Sequence, residues 1–173
     1  MKIAISGPMG SGKSTIANMI KSNNDKYIIY SFGGKIKEIA YDLFNMNKNI
    51  KDRSLLINIA DKMRMIDQDI WAKYIVKQIG DNPCCIIDDL RFHNEQYALR
   101  KLGFTFIHLY IDDAFQLKRI KETYKTDTSK HIERRYDISE QSIEVLDSDH
   151  YININLTTQH KLTTLLESII NNK

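Results

Sequence analysis

A glycine-rich segment near the N-terminus has the residue types and the spacing that suit phosphate binding. It reads GPMGSGKS over residues 7–14 and matches G-x-x-x-x-G-K-[ST] throughout. Glycines let backbone N–H groups converge on phosphate oxygens, and the start of a following helix adds further donors. In this pattern Lys13 would contact the β- and γ-phosphates of a nucleotide, and Ser14 would bind Mg²⁺. The sequence predicts an ATP site formed by Gly7, Met9, Gly10, Ser11, Gly12, Lys13, Ser14 and Thr15.

A pair of aspartates follows a second apolar run. Residues 84–87 (CCII) predict a buried strand, and Asp88 and Asp89 come directly after it. Ligands of parallel sheets bind at the carboxyl ends of the strands, where a carboxylate can hold Mg²⁺ or orient a substrate. Since neighbouring strand residues face opposite sides, we expect only one of the two to point at the phosphates. The alternative is that both belong to a turn or cap a helix.

Strands and helices are predicted to alternate along the chain. Short apolar runs predict strands at residues 2–6, 27–30, 84–87, 104–111 and 151–154. Apolar residues at helical spacing predict helices at residues 13–22, after Gly33-Gly34, after a capping Asp52, and at 69–79, 92–102, 113 onward, 139–146 (capped by Ser139) and 162–170. This order predicts an α/β fold with three α/β/α layers and a five-stranded parallel sheet.

Composition excludes several classes of protein. The 173 residues suit one domain, and a net charge of +3 is too mild to indicate a nucleic acid polymer as partner. No apolar run reaches the roughly 18 residues that cross a membrane. Cys84 and Cys85 are adjacent and have no other cysteine to pair with, which is typical of a reducing compartment. With no recognisable signal peptide, we expect a cytoplasmic protein without a membrane partner.

Several segments together resemble the viral and phage-type deoxynucleoside monophosphate kinases. Residues 89–95 (DLRFHNE) are similar to that family's D-x-R-F-x-N-E segment. Arg64 with residues 67–71 (DQDIW) resembles its R-x-x-D-x-D-x-W segment. These two are much more specific than the glycine-rich segment, which many nucleotide-binding proteins share.

Other segments of this family resemblance follow in the same order, so that it covers nearly the whole chain. Residues 31–38 (SFGGKIKE) are similar to the family's S-F-A-D-P-L-K-E, although Gly33, Gly34 and Lys35 replace its Ala, Asp and Pro. Ser139-Glu140 resembles the Ser-Glu after the lid, although the lid itself matches poorly. Residues 149–155 (DHYININ) resemble the last strand and the Asn that follows it.

The resemblance implies a P-loop NTPase fold and the transfer of a phosphoryl group from ATP to a deoxynucleoside monophosphate, with Mg²⁺. It implies one kinase domain over residues 1–173, with a helical acceptor-binding insertion at about 33–80 and a lid at about 114–138. The acceptor phosphate needs guanidinium groups, which Arg64 and Arg91 could supply, and the sole tryptophan could stack on a base. A lid with cations would exclude water and stabilise charge during transfer.

These expectations assign candidate residues to four roles. The candidates for the chemistry are Lys13, Asp89, Arg91, Arg119 and Arg134. Those for acceptor binding are Lys37, Arg64, Trp71, Asp89 and Arg91. Those for Mg²⁺ are Ser14, Asp88 and Asp89, and Asn155 is the candidate for contact with adenine. The expected partners are a small nucleotide acceptor and, as one possibility, a second copy in a homodimer.

Other interpretations stay open from the sequence. Arg64 could lie on a solvated helix face, Trp71 in the core, Arg91 at a helix start, and the lid cations in solvent. The acceptor could be another small phosphorylated molecule, of the dephospho-coenzyme A or phosphomevalonate type. The chain could also be a switch that binds a nucleotide without transferring its phosphate, although the guanine-reading N-K-x-D pattern of GTPases is absent from the sequence.

Overall fold

The structure is a computed structural model that describes residues 1–50, 52–125 and 128–171, apart from the side chains of Arg134, Glu144, Val145, Gln159 and Asn171. Its centre is a five-stranded sheet in the order β2-β3-β1-β4-β5, and every pairing is parallel. The strands are β1 (Lys2–Ser6), β2 (Ile28–Tyr30), β3 (Cys85–Ile87), β4 (Phe104–Tyr110) and β5 (His150–Asn153).

Alternate residues of each strand supply the two hydrophobic cores, one on each face of the sheet. Ala4, Ile87 and Phe106 pack on one face with helices α2 to α5, whereas Ile3 and Ile107 pack on the other with α1 and α9. The nine helices that the structure describes are α1 (Lys13–Asn23), α2 (Phe32–Phe44), α3 (Arg53–Ile66), α4 (Ile70–Ile79), α5 (His93–Lys101), α6 (Asp113–Thr123), α7 (Thr128–Glu133), α8 (Ile138–Gln141) and α9 (Gln159–Asn171). The expected α/β/α layers of a P-loop NTPase fold are therefore confirmed.

Several helix boundaries shift by one to three residues from the sequence prediction, and two helices differ in a way that bears on the site. Gly33 and Gly34 were expected to precede a helix, but α2 begins at Phe32 and contains both. The predicted helix at 139–146 begins at Ile138 and ends at Gln141, where a 3₁₀ turn (Ser142–Val145) follows. Asp137, not Ser139, precedes that helix, and its carbonyl accepts the Glu140 and Gln141 N–H groups at 2.8 and 3.1 Å.

Smaller features agree with the sequence. The Asp52 side chain caps α3 by accepting the Leu55 N–H at 3.0 Å, and Cys84 and Cys85 form no disulfide. Over the described ranges, no helix has the length and apolar character needed to cross a bilayer.

Candidate active site

The glycine-rich segment forms a tight loop between β1 and α1. Gly7, Gly10 and Gly12 have φ values of 141°, 82° and 93°, which side chains rarely adopt. A Cβ at Gly7 would lie only 2.7 Å from the Leu109 carbonyl oxygen of β4, so that close approach requires glycine. Helix α1 starts at this loop without a side-chain cap. Its first N–H groups can therefore bind phosphate oxygens.

Helix α6 holds this loop from the outside. Gln116 Nε2 donates to the Met9 carbonyl at 2.7 Å, and Arg119 Nη1 donates to the Gly10 carbonyl at 3.2 Å. The loop is thereby fixed before any phosphate binds, which favours an anion site that needs little rearrangement.

Lys13 lies inside the loop rather than in solvent. Its Nζ donates to the carbonyls of Gly7 at 2.6 Å and Pro8 at 2.9 Å. Burial, followed by the positive charge of Arg91, lowers the pKa of Lys13 to about 8, although Glu140 and two aspartates act in the opposite direction. Two cations held this close repel each other, so an anion bound between them would stabilise both.

Asp88 lies beside Ser14, where the sequence predicts a metal. Ser14 Oγ donates to Asp88 Oδ2 at 2.8 Å. Burial, with a contribution from Asp89, raises the pKa of Asp88 against the effects of Ser14 and Lys13. Among the described residues no group of three or more acidic, His or Cys side chains could hold a metal. Two oxygen ligands of this kind still fit Mg²⁺, which takes its remaining ligands from phosphates and water.

Asp89 lines the cleft beside the glycine-rich loop, but its carboxylate bonds to the start of α2 rather than to Ser14. Its Oδ1 accepts the Phe32 N–H at 2.9 Å, and its Oδ2 accepts the Gly33 N–H at 2.9 Å and the Ser31 hydroxyl at 2.7 Å. Both oxygens therefore cap the first turn of α2. A Cβ at Gly33 would lie 3.3 Å from Asp89 Oδ2, which favours glycine at this position.

A cleft of about 1380 Å³ opens beside the loop, between α2, α3, α6 and α8. Of the expected acceptor-binding residues, all except Trp71 line it: Lys37, Arg64, Asp89 and Arg91. Arg64 Nη1 donates to Asp61 at 3.1 Å, and its guanidinium lies 4.3 Å from the centre of the Phe92 ring. Residues that the sequence analysis missed also line the cleft: Phe32, Arg53, Phe92, Glu95, Tyr124, Tyr136 and Glu140.

Glu95 fixes the backbone on which Arg91 sits. Its Oε2 accepts the N–H groups of Arg91 and Phe92, each at 3.1 Å, and its Oε1 lies 3.8 Å from Arg64 Nη2. Burial, and next the charge of Asp89, raises the pKa of Glu95 to about 7. The position is a helix N3 position, so a capping pattern in the sequence could have identified it.

Arg91 and Glu140 form an ion pair inside the cleft. Arg91 Nη1 donates to Glu140 Oε1 and to the Ser139 carbonyl, the latter at 3.2 Å. Glu140 Oε2 accepts the Met9 N–H of the glycine-rich loop at 2.8 Å. No local pattern in the sequence indicates this contact, because Glu140 lies 131 positions from Met9.

The predicted lid and adenine contacts are only partly brought to the cleft. Arg119 lines it, whereas the side chain of Arg134 lies outside the described residues. Asn155 is not among the residues that line the cleft; its Oδ1 accepts the Asp112 N–H at 3.2 Å, at the start of α6. Its neighbour Ile154 lines the cleft instead, together with Leu162 of α9.

Trp71 is a core residue, which corrects its expected place against the acceptor base. Its side chain packs among α2, α3 and α4 with 3% exposure. The indole Nε1 donates to the Ala60 carbonyl of α3 at 3.2 Å. The α3–α4 junction is held by Asn94, whose Nδ2 donates to Gln68 O at 3.0 Å and Asp69 Oδ1 at 2.9 Å. The two most specific sequence segments therefore contact each other through bonds that hold the fold.

Comparison with known proteins identifies the family. A family model described as an AAA domain matches residues 3–146. The chain belongs to the AAA domain family. No curated protein matches its sequence.

Solved structures show the same fold across the whole length of this AAA domain protein. TT1252 from Thermus thermophilus superposes with a TM-score of 0.65 at 13% identity, covering 99% of this chain and 97% of that one. A sugar kinase from Janibacter sp. HTCC2649 has a TM-score of 0.61 at 13% identity, with 98% and 94% covered. An uncharacterized protein from Eubacterium ventriosum ATCC 27560 has a TM-score of 0.57 at 14% identity, with 100% and 99% covered.

The position of Trp71 predicts a stability effect without a binding effect. Trp71→Phe removes the Nε1 bond to Ala60 and leaves space in the core. We expect the free energy of unfolding to fall by about 1–3 kcal/mol, measured by urea denaturation with circular dichroism. Nucleotide affinity should change by less than about twofold, because the side chain lies outside the cleft.

The matched control for Trp71→Phe is Tyr97→Phe, an aromatic position on α5 with 65% exposure, where stability should stay unchanged. Weakened nucleotide binding by Trp71→Phe at wild-type stability would contradict the core assignment.

The buried Glu95 predicts a pH effect on stability. Its pKa is raised from 4.5 to about 7 by folding, so the folded chain binds this proton more tightly than the unfolded chain. The resulting stabilisation is fully present below pH 4.5 and is lost as the pH rises through about 7. We expect the free energy of unfolding to lose up to about 3 kcal/mol over this range from this group.

Glu95→Gln should lack this component, which urea denaturation at several pH values would measure. Glu167→Gln, on an exposed position of α9, is the control for the loss of one charge and should follow the wild type. Parallel pH profiles for the wild type and Glu95→Gln would show that Glu95 is not the group responsible.

Proposed function

We propose that the chain transfers the γ-phosphoryl group of ATP to the phosphate of a deoxynucleoside monophosphate. The observation that carries the proposal is that Lys13 of the phosphate-binding loop and Arg91 at the opposite wall line one cleft, close enough for their charges to interact. ATP and a phosphorylated acceptor are both anionic and repel each other, so phosphoryl transfer between them needs cations beside each of the two phosphates. A cleft with a single anion site would not require the second group.

On the ATP side, residues 7–15 would surround the phosphates. Lys13 would exchange its bonds with the Gly7 and Pro8 carbonyls for bonds with the β- and γ-phosphates. Mg²⁺, when bound, would neutralise charge on these phosphates. Ser14 and Asp88 are the residues that would hold it, and Arg119 would stay bonded to the loop and face the phosphates from α6.

On the acceptor side, Arg91, Arg64 and Lys37 would bind the acceptor phosphate. Guanidinium groups suit this task because they can donate two parallel hydrogen bonds to one phosphate. With Trp71 in the core, the aromatic rings that line this side of the cleft are Phe92, beside Arg64, and Phe32 of α2. Helices α2 and α3, in the insertion at about 33–80, would form this wall together with the segment of Arg91 and Phe92, and Asp89 would set the start of α2.

The reaction needs positioning rather than a strong base. The oxygen of the acceptor phosphate that attacks is already ionised, so the protein has to align it and exclude water. The lid at about 114–138, with α6 and α7, would close over the phosphates. Asp89 would then act by holding α2, and no residue would have to remove a proton.

A hydroxyl acceptor is the second candidate, since one structure of the same fold is described as a sugar kinase. An uncharged sugar does not require two arginines in the acceptor wall, which favours a phosphorylated acceptor. Phosphorylated acceptors other than nucleotides belong to the same class of acceptor as the deoxynucleoside monophosphates, because they too present a phosphate to the two arginines.

A screen of acceptors tests the proposed function. We expect Mg²⁺-dependent ATP consumption and diphosphate formation with at least one of the four deoxynucleoside monophosphates. The other arms contain sugars, dephospho-coenzyme A and phosphomevalonate. Consumption of ATP only with one of those arms, or equally without any acceptor, would overturn the proposed reaction.

The same assay with Lys13→Met tests the ATP side. We expect transfer to fall by about 10²- to 10³-fold, because a cation that stabilises the transferred group is lost. Because Lys13 also bonds to the loop, circular dichroism should verify the fold. Lys21→Met, exposed on the same helix, is the control and should stay active.

Arg91→Lys tests the acceptor side, because it keeps the charge and loses the paired N–H groups. We expect the acceptor KM to rise by about 10- to 100-fold, while the ATP dissociation constant stays within about threefold. Arg100→Lys, half-exposed on the following helix α5, is the control. Weaker ATP binding with unchanged acceptor kinetics would assign Arg91 to the ATP side.

A further inference from the structure

Glu140 is a buried carboxylate that bonds to both sides of the cleft. Its Oε2 accepts the Met9 N–H of the phosphate-binding loop at 2.8 Å, and its Oε1 accepts Arg91 Nη1. The side chain is 8% exposed, and both oxygens are used. One side chain thereby joins the loop that would hold ATP to the arginine that would hold the acceptor.

The segment that carries Glu140 is itself fixed against Arg91. Ser142 Oγ donates to the Arg91 carbonyl at 3.0 Å, and Arg91 Nη1 also donates to the Ser139 carbonyl at 3.2 Å. Ile143 of the following 3₁₀ turn is buried, with 1% exposure. A carboxylate supported in this way has little freedom to move, so the geometry that it imposes on Arg91 is stable.

The ion pair leaves part of the Arg91 guanidinium available. In the chain as described, each side-chain hydrogen bond of Arg91 uses Nη1, and none uses Nε or Nη2. Those two groups form the other edge of the planar fork, which suits a phosphate. The bond to Glu140 therefore orients Arg91 without occupying all of its donors.

The negative charge of Glu140 also offsets the positive charges of the cleft. Arg91 is close enough to Lys13 to disfavour the charge of the lysine and lower its pKa, and Glu140 opposes that effect. A neutral side chain at this position would leave the two cations less balanced before the anionic substrates bind.

We propose that Glu140 is a positioning residue, which sets the orientation of the Arg91 guanidinium and its distance from the phosphate-binding loop. The proposal rests on the phosphoryl transfer proposed above, because its consequence is the alignment of two bound phosphates. Misplacement of a reacting group by about 1 Å can cost a factor of about 10² in rate. Glu140 would act through Arg91 and would not touch the substrates.

Glu140→Gln is the test variant, because it keeps the length of the side chain and removes the charge. The amide has one oxygen, so it can accept from Met9 or from Arg91, and its NH₂ group would face the second donor. In steady-state kinetics with the acceptor found in the screen, we expect kcat divided by the acceptor KM to fall by about 10- to 100-fold. The ATP dissociation constant should stay within about threefold.

A double-mutant cycle separates positioning from a general structural role. If Glu140 acts through Arg91, Glu140→Gln should have little further effect in an Arg91→Ala background. Glu167→Gln, which removes an exposed charge on α9 outside the lid, is the matched control and should keep wild-type kinetics. Ser142→Ala is the second variant if Glu140→Gln does not fold. It removes only the bond to the Arg91 carbonyl, and we expect a smaller loss in the same direction.

The possible results distinguish this proposal from the proposed function. An active wild type with unchanged kinetics in Glu140→Gln, or in Ser142→Ala where only that variant folds, would overturn the positioning role alone. The positioning role would also be overturned if the effects of Glu140→Gln and Arg91→Ala on kcat divided by the acceptor KM were independent and multiplied in the double variant. A lower acceptor KM in Glu140→Gln would overturn it too, because it would mean that Glu140 competes with the acceptor phosphate for Arg91. A wild type that transfers to no acceptor would overturn both proposals.

Discussion

Hydrogen bonds from backbone N–H groups to buried or half-buried carboxylates hold the walls of the cleft. Asp89 accepts from the start of α2, Glu95 from the segment before α5, and Glu140 from the phosphate-binding loop. Unsatisfied N–H groups at such places would be costly, and a carboxylate accepts them more strongly than a neutral group does. Each carboxylate also lies near a cation, so the same side chains fix the backbone and balance the charge.

The sequence predicted the fold and the phosphate-binding loop because both are encoded locally. Alternating apolar runs determine strand and helix, and the glycine spacing determines the path of the loop. The prediction that only one of Asp88 and Asp89 points at the phosphates also follows from strand geometry. In the structure the two bond to different partners, Asp88 to Ser14 and Asp89 to the start of α2, although both line the cleft. What strand geometry leaves open is which aspartate faces the phosphates, since that depends on how α2 packs against the end of β3.

The residues that the sequence analysis placed wrongly or missed have positions and roles that are set by contacts between segments distant in the sequence. Trp71 occurs in a specific segment, but a residue can be specific to a family because it holds two helices together, as its bond to Ala60 does. Glu140 is the opposite case, a residue that lines the cleft without having been predicted to do so. The family resemblance includes Ser139-Glu140 but gives the glutamate no role, and its importance comes from Met9 and Arg91, which the fold brings to it. Motif similarity therefore indicates which segments belong together more reliably than it indicates which side chains face a ligand.

The hydrogen bonds that the carboxylates of the cleft already accept determine which charge of ligand the cleft favours. Four of the carboxylates in the cleft already accept hydrogen bonds from the Ser14 hydroxyl, from backbone N–H groups or from Arg91. They are Asp88, Asp89, Glu95 and Glu140. On the other side, Lys37 and Arg53 line the cleft and form no ion pair with any residue that the structure describes. Glu122 and Asp137 also line the cleft. A ligand bound deeper, between the phosphate-binding loop and Arg91, thus meets cations that can bind an anion and carboxylates that already accept hydrogen bonds. That asymmetry favours polyanionic ligands over cationic or neutral ones even though the whole chain carries a net charge of only +3.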